Sequence, residues 1–254
     1  MIFRAILYSP TRRVCLLAAL AALPLAAQVS APGFRHSETN FIVRRQEFLA
    51  APTNVALAAQ FAAAVFDRAE FATNDTERAT LAVTGINALR EQLARAPKSA
   101  AAHYYLAMNL GQLARTKTLG ALKIVDEMEL EFKTAAALDP HLDHAGPDRN
   151  LGQLYFQAPG WPASVGSHSK ARKHLERAVE LAPEFPDNHL ALLEAAVDWR
   201  DKKILQRELT ALKSFWPDAK TNFTGAAWEA SWSDWGKRRQ QFEPAARRLL
   251  QPAR

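Results

Sequence analysis

The sequence has almost no cysteine. Cys15 is the only cysteine among 254 residues, and it falls within an N-terminal stretch that we expect to be removed. Without Cys15, the mature chain has no disulfide, no thiol nucleophile and no thiolate ligand for a metal. The sequence also lacks the phosphate-binding patterns G-x-G-x-x-G and G-x4-G-K-[ST], which excludes the nucleotide-binding folds that use them.

Isoleucine, valine and glycine are also few, with only 10 glycines in the chain. Alanine and leucine carry most of the apolar content, and both are strong helix formers. The overall balance, 48% hydrophobic and 23% charged residues, is that of a globular protein. The composition therefore predicts an all-α fold.

Residues 1–27 have the features of an export signal. They contain three arginines and no acid, and residues 14–27 are uncharged. A basic flank, a short apolar core and small residues are typical of a signal peptide, and this core is too short for a comfortable membrane span. We expect cleavage after Ala27 or Ala31, by the general or the twin-arginine route. An uncleaved membrane anchor is the alternative.

The formal net charge of +6 depends on this segment. Removing Arg4, Arg12 and Arg13 takes three from +6 and leaves +3, so the basic composition does not indicate nucleic-acid binding. We expect a periplasmic or secreted protein that meets the membrane only through its export signal.

Four prolines divide the mature chain at regular intervals. Pro97, Pro140 and Pro183 are 43 residues apart, and Pro217 follows after 34 residues, which is the length of one tetratricopeptide repeat. Because proline lacks the amide proton and disfavours a helical residue before it, each is expected to close a helix. Residues 75–217 are therefore predicted to form tetratricopeptide-like helical hairpins, an α–α superhelix. The surplus residues should lie in loops at 116–122, 141–147 and 157–166.

The pattern is clearest over residues 163–200. Ala171, Leu175 and Ala178 share one face of a predicted helix that ends before Pro183 and Pro186. Gly152 is expected where the two helices of one hairpin touch, since glycine in a helix costs about 1 kcal/mol against alanine and needs a packing reason.

Helices are also predicted on both flanks of the repeats. Residues 28–74 should form a helical pair, at 37–49 and 55–71, capped by Ser37 and by Thr53 or Asn54. Residues 218–254 should form a tryptophan-rich cap that seals the stack. Its first helix would carry Trp228, Trp232 and Trp235 on one face, and its last, residues 237–251, would expose its arginines to solvent.

The most specific string is the loop Ala158-Pro159-Gly160-Trp161-Pro162, followed by Ser164-Val165-Gly166. With the segment AGPDR at 145–149, the L-G-x2-Y pattern at 151–155 and HLERAVELAP at 174–183, it resembles the T component associated with TRAP transporters (TatT-type proteins). The resemblance covers about residues 75–217 and is strongest over 145–200. It implies a non-enzymatic periplasmic or secreted protein that binds a small hydrophobic or anionic ligand or a transporter's substrate-binding protein. TatT-type proteins are often lipoproteins, whereas Cys15 lacks the L-x-x-C pattern.

In tetratricopeptide stacks the first helix of each repeat lines a groove. We assign the groove-lining positions of the first helices to this sequence and add the loop tryptophan. Together these residues predict a binding surface for a ligand with an apolar body and a polar or anionic end. Its residues are Tyr104, Met108, Gln112, Arg149, Gln153, Phe156, Gln157, Trp161, Glu194 and Asp198. Trp161 has an alternative role, in which it fills a gap between repeats.

Catalytic and metal patterns are weak. His141, Asp143 and His144 are near one another, but adjacent turn residues rarely converge on one ion. Ser164 lacks the first glycine of G-x-S-x-G. We therefore expect no cofactor and rank three functions: a TatT-type binding or scaffold protein, a general cell-envelope adaptor that holds a peptide or helix, and an enzyme with a site around residues 141–149.

Overall fold

The structure, a computed structural model, describes residues 32–117 and 120–251. Within these ranges it contains ten α-helices, one short 3-10 segment and no strand, which confirms the all-α prediction. The helices are α1 (Pro32–Ala50), α2 (Val55–Glu70), α3 (Asp75–Arg95), α4 (Ala100–Ala114), α5 (Ala121–Leu138), α6 (Leu142–Gln157), α7 (His168–Leu181), α8 (Pro186–Trp199), α9 (Lys202–Asn222) and α10 (Glu229–Leu250), with the 3-10 segment Ala226–Trp228 before α10. The predicted export signal and both cleavage positions lie outside the described residues. No described helix has the length and apolar character needed to cross a bilayer.

Several helix starts follow from local capping. The Asn54 side chain accepts hydrogen bonds from the amides of Ala56 and Leu57, and Asn74 accepts one from the amide of Glu77. These bonds satisfy amides that the first turn of a helix leaves unpaired. The predicted cap at Ser37 is wrong, because α1 already begins at Pro32 and Ser37 Oγ donates to the carbonyl of Phe34.

Three of the four predicted proline stops are confirmed. Helices α3, α5 and α7 each end two residues before Pro97, Pro140 and Pro183. Pro186 does not stop a helix but occupies the first position of α8, where its missing amide proton costs nothing.

The stop predicted at Pro217 is wrong, because Pro217 lies inside α9. Proline in a helix interior costs about 3 kcal/mol. Here Leu212, Trp216 and Ala219 are buried on both sides of the proline. Burial of such a side chain contributes about 1.5–3 kcal/mol, so packing of the continuing apolar stripe outweighs the local cost.

The C-terminal segment is one helix where two were predicted. Helix α10 runs through both predicted helices, and the tryptophan stripe packs inward, with Trp235 only 2% exposed. The expectation of a solvated arginine face is wrong for Arg238, which is buried against three acidic side chains.

The helices pack in neighbouring pairs, and short connections between contacting helices make those neighbours antiparallel. Helices α2, α4, α6, α8 and α10 also contact one another in succession, and we call them the central row. Helices α3, α5, α7 and α9 contact only their neighbours in sequence, so they form an outer layer.

Helix α1 bridges the two ends of the central row. Helix α1 contacts both α2 and α10. A Cβ atom added to Gly33 would lie 3.5 Å both from Phe71, which caps α2, and from Ala230 of α10. Arg68 ties α1 to this junction through Glu38 and reaches Glu77 of α3 at 2.8 Å. One point on α1 therefore holds the first and last helices of the row together.

A histidine joins each of two central helices to the next outer helix. Each lies six residues after a proline and pairs through Nε2 with that proline's carbonyl and through Nδ1 with a carboxylate. The two sets are His103 with Pro97 (2.9 Å) and Glu131 (2.5 Å), and His189 with Pro183 (2.8 Å) and Glu208 (2.6 Å). The sixth position after Pro140 is Gly146, so α6 lacks this connection and is built differently.

Gly152 has the packing role predicted for it. A Cβ atom at this position would lie 2.5 Å from Leu175 Cγ and 3.0 Å from the Leu175 backbone nitrogen. Both residues are buried, and because one of the contacts is backbone, neither helix can move aside cheaply. Helices α6 and α7 therefore approach this closely only with glycine.

We expect Gly152→Ala to lower the free energy of unfolding by about 1–3 kcal/mol, because overpacking forces α6 and α7 apart. Gly236→Ala in α10 is the matched control, since nothing lies within 4 Å of an added Cβ there. Its effect should have the opposite sign, up to about 1 kcal/mol of stabilisation. Urea unfolding followed by circular dichroism measures both, and equal effects would contradict the close-packing explanation.

Candidate functional site

Helix α6 begins with an unusual backbone. Asp143, His144 and Ala145 have φ values of 49°, 53° and 62°, which is one turn in the left-handed region before the right-handed helix continues. None is a glycine, and each such residue costs roughly 1–2 kcal/mol. Strain of this kind persists only where the surroundings determine it, and it concentrates at functional sites.

Arg149 holds this turn in place. Its Nη1 donates to the carbonyls of Asp143 (3.3 Å) and His144 (3.2 Å), and its Nη2 donates to Asp143 Oδ2 at 2.9 Å. Asn188 of α8 contributes from the other side, accepting from Arg149 at 3.0 Å and donating to the His144 carbonyl at 3.1 Å. The left-handed turn is therefore fixed by a guanidinium and an amide that reach its carbonyl groups directly.

The Asp143 carboxylate extends the same network to α4. The Tyr104 hydroxyl donates to Asp143 Oδ2 at 2.5 Å and accepts from Asn150 Nδ2 at 3.1 Å. Gly146 permits this approach, because a Cβ there would lie 2.5 Å from the Tyr104 hydroxyl. Burial, followed by the negative charge of Asp143, raises the pKa of Tyr104 well above its usual range, so the hydroxyl stays a donor.

Asp187 carries the network to the end of the row. Its carboxylate lies 3.2 Å from Arg149 Nε and also binds Arg238 of α10. Burial alone would raise the pKa of Asp187, but the two guanidinium groups lower it to about 2. Arg238 also lies 3.7 Å from Glu194 and 3.5 Å from Asp234. Its positive charge is thus shared among three carboxylates, which together outweigh its burial and raise its pKa.

At the other end of the row, Asp67 has no such partner. Among the described residues it forms no hydrogen bond or ion pair, and solvent reaches it, yet protein surrounds its carboxylate on most sides. A carboxylate that is reached by solvent and yet surrounded by protein on most sides is expected on the wall of a concave surface, and we place Asp67 on such a wall. Burial, Asp143 and Glu70 raise its pKa to about 7. The half-buried Tyr105 lies within the field of Asp67 and Asp143, and burial followed by these charges raises the pKa of its hydroxyl.

We call this set of side chains the polar strip, since it crosses all five helices of the central row. Its members are Asp67, Tyr104, Tyr105, Asp143, Arg149, Asn150, Asp187, Asn188 and Arg238. Buried charges in a protein interior must be paired and hydrogen-bonded, and most members of the strip satisfy this. Arg238 Nη2 is a buried donor without an acceptor among the described residues. Asp67 is exposed to solvent and has no hydrogen-bond or ion-pair partner among them, so its carboxylate is the group most accessible to a ligand.

The structure brings some of the predicted groove residues together. Tyr104 and Arg149 meet at Asp143, and Glu194 meets the same network through Arg238. Met108 and Gln112 are buried within α4. Gln112 accepts from Arg78 at 2.7 Å and donates to Glu70.

The other predicted residues lie away from the strip. Gln153 is half-buried and Asp198 is exposed. Phe156 packs edge-on against Trp199, with ring centres 5.9 Å apart. Gln157 has a buried Oε1 without a hydrogen-bond donor among the described residues.

Trp161 lies on an ordered loop and points into solvent. Its side chain is 88% exposed, so the alternative in which it fills a gap between repeats is wrong. The loop is held at its base, where the Gly166 amide donates to the Pro159 carbonyl and the Ser167 amide to the Tyr155 carbonyl, both at 2.9 Å. A Cβ at Gly166 would lie 2.1 Å from the Ala158 carbonyl oxygen, so this close crossing requires glycine.

Sequence reasoning missed several members of the strip. The only sequence signal for Asp67 is that it is the first acidic residue of the alanine-rich helix α2. Asn150 had a clearer signal, because the pentapeptide Asn-Leu-Gly-Gln-Leu occurs at both 109–113 and 150–154. Asn109 and Asn150 each donate to the carbonyl four residues earlier and to the preceding central helix. That repeat would have identified Asn150 as a residue joining neighbouring central helices.

The part of the chain that the structure describes contains no group of three histidines, cysteines or acids arranged to hold a metal. His144 stacks on Phe185 with ring centres 4.4 Å apart, which places it in an aromatic contact. In comparisons with models of protein families and with curated proteins, the chain matches none. The functional argument therefore rests on the geometry of the polar strip.

Arg149→Met should lower the free energy of unfolding by about 3–5 kcal/mol, because it leaves Asp143 without its cation, leaves Asp187 with Arg238 alone, and removes the donors that hold the left-handed turn. Arg95→Met is the matched control, since Arg95 is 55% exposed and lies 2.9 Å from Glu91, which is 67% exposed. An exposed pair contributes about 1 kcal/mol or less. Guanidinium unfolding measures both, and comparable losses would contradict the role given to Arg149.

The pKa of Asp67 predicts a pH-dependent stability. Its ordinary pKa is 3.8 and its folded value is about 7, so the folded state binds the proton more tightly than the unfolded state. The resulting stability is present below pH 3.8 and lost as the pH rises towards 7. Asp67→Asn should therefore melt at a higher temperature than the wild type at pH 8, with the difference shrinking towards pH 4.

Asp126→Asn, an exposed acid on α5, serves as the control and should follow the wild type at every pH. Thermal unfolding monitored by circular dichroism at intervals between pH 4 and pH 8 gives the comparison. A melting difference for Asp67→Asn that does not change with pH would refute the raised pKa.

Proposed function

We propose that this protein is a non-enzymatic binding protein. In this proposal its helical hairpins are tetratricopeptide-like repeats, and the inner side of the central row is its working surface. The resemblance of residues 75–217 to TatT-type proteins suggests that it is an exported accessory of a transport system. It would present a rigid groove and make no covalent bond.

The observation that carries this proposal is the polar strip. On α4 and α8 one histidine ties the helix to its outer neighbour, and neither helix begins with residues of positive φ. Helix α6 differs, because it begins with a strained left-handed turn that the buried side chain of Arg149 holds in place. Departures from a repeating rule are expected where function imposes a cost on the fold.

The strip also indicates the chemistry of the occupant. The Arg149 guanidinium already binds Asp143, Asp187 and Asn188, which leaves it little capacity for an anion. The carboxylate of Asp67 is free of such partners among the described residues, and its charge acts on the hydroxyl of the half-buried Tyr105. A ligand with an apolar or aromatic body and an ammonium, guanidinium or amide donor would fit, with its polar end at Asp67.

A general adaptor that holds a partner's peptide is the second candidate. The solvent access of Asp67 favours it, because a lysine or arginine side chain of a bound segment can reach the carboxylate without opening the row. Both candidates use the same wall of the groove, so they differ in whether the occupant is a small molecule or a protein.

Native mass spectrometry of the protein purified from its exporting host distinguishes them. A retained small ligand should appear as a constant mass increment that is reduced at least about tenfold in Asp67→Asn, a loss equivalent to about 1.4 kcal/mol, and unchanged in Asp126→Asn. If neither the wild type nor Asp126→Asn carries a mass increment, a photo-crosslinking amino acid at position 105 tests the second candidate, the adaptor function. It should give a protein adduct that Asp67→Asn removes, whereas the same residue at Val83 on α3 should give none. Absence of both signals would refute a groove-binding function.

A further inference from the structure

A second surface feature lies at the end of the helix row, away from the polar strip. An open groove of about 710 Å³ runs between α9 and α10. Its floor includes Leu209 and Leu250, and its sides include Thr210, Lys213 and Arg247. None of the residues that line it is acidic.

The position of this groove explains why it is uncovered. Each earlier pair of neighbouring central and outer helices is covered by the next central helix, as α8 and α9 are by α10. Among the described residues nothing packs in the same way on the pair formed by α9 and α10. The terminal unit of a helical stack normally presents a polar outer face, whereas here the buried Leu209 and the half-buried Leu250 lie beneath the polar rim of a groove. The end of the row therefore leaves a surface between α9 and α10 on which one more helix could pack.

The charges on the rim select the chemistry of that helix. Lys213 forms no hydrogen bond or ion pair with the described residues. Arg247 is 61% exposed, and its nearest carboxylate oxygen, on Glu243, is 3.8 Å away, which is too far for a hydrogen bond. Both cations are thus available at the edge of an apolar floor, and they favour a partner that places acids beside an apolar stripe.

A second copy of this chain fits the rim charges less well than an acidic helix. Its exposed apolar side chains lie mainly on α1 (Ile42, Val43 and Leu49) and on α5 (Leu122, Leu130 and Leu138). The exposed polar residues between them are Arg45 and Gln46 on α1 and Lys123, Asp126 and Lys133 on α5. Neither exposed face is net acidic, and docking either one would bring a cation towards Lys213 and Arg247. The charge pattern therefore favours a different protein.

We propose that the groove between α9 and α10 is a docking site for an acidic amphipathic α-helix of a protein partner. The partner's apolar stripe lies on Leu209 and Leu250, and acids on its flanks pair with Lys213 and Arg247. A helix suits the site because the groove is open along two packed helices and does not enclose a ligand. This site is separate from the polar strip and does not depend on the function proposed for it.

Fluorescence anisotropy with synthetic helices tests the proposal. One labelled peptide carries a leucine stripe flanked by glutamates, and a matched peptide carries lysines in place of the glutamates. The glutamate peptide should bind the wild-type protein, and the lysine peptide should not. Lys213→Glu combined with Arg247→Glu should weaken the glutamate peptide about tenfold or more, an energy of about 1.4 kcal/mol. Lys220→Glu combined with Lys237→Glu makes the same charge change on exposed sites of the same two helices and should leave binding unchanged.

A second variant separates shape from charge. Thr210 is exposed at the side of the groove, so Thr210→Trp should fill it without altering charge and also abolish binding. Circular dichroism confirms that each variant is folded, and Asp67→Asn should bind the glutamate peptide like the wild type.

Four outcomes would overturn the proposal. The first is equal binding of both peptides, and the second is equal weakening by the two double variants. The third is binding of dodecanoate in place of the glutamate peptide, which would assign the groove to a small amphiphilic anion. The fourth is a wild-type dimer in light scattering that Lys213→Glu and Arg247→Glu dissociate, which would assign it to a second copy.

Discussion

The buried guanidinium of Arg149 between Asp143 and Asp187 is the interaction on which the rest of this structure depends. It pairs with the partly exposed carboxylates of Asp143 and Asp187, and it supplies donors to a backbone turn that costs several kcal/mol by sterics alone. Through Asp143 it reaches Tyr104 on α4, and through Asp187 it reaches Arg238 on α10. One side chain thereby fixes the relative positions of four helices of the central row.

Helix α6 differs from its neighbours in the central row in how it is held. On α4 and α8 a histidine six residues after a proline ties the helix to its outer neighbour, and the result is purely structural. At the corresponding position α6 has Gly146, and the missing side chain makes room for the Tyr104 hydroxyl. Helix α6 is joined to its outer neighbours by other pairs, Asp148 with His174 of α7 at 2.7 Å and Tyr155 with Glu129 of α5 at 2.6 Å.

The two surfaces differ in how fully their polar groups are satisfied. Along the strip the charges are paired except at Asp67, so binding there would satisfy one carboxylate on an otherwise rigid wall. Along the α9–α10 groove the charges are cations at the rim of an apolar floor. A rigid row is useful to both, because preorganised surfaces lose less conformational entropy when a partner binds.

The sequence by itself determined the helical class, the caps at Asn54 and Asn74, the breaks before Pro97, Pro140 and Pro183, and the need for glycine at position 152. These are decided by neighbouring residues or by a spacing that one helix imposes. Tertiary structure alone decided that α9 continues through Pro217, that Arg238 is buried, that Tyr104 and Asp143 approach Arg149, and that Asp67 lies within the field of Asp143. Burial energy and the pairing of charges depend on residues far apart in the chain, and no local pattern contains that information.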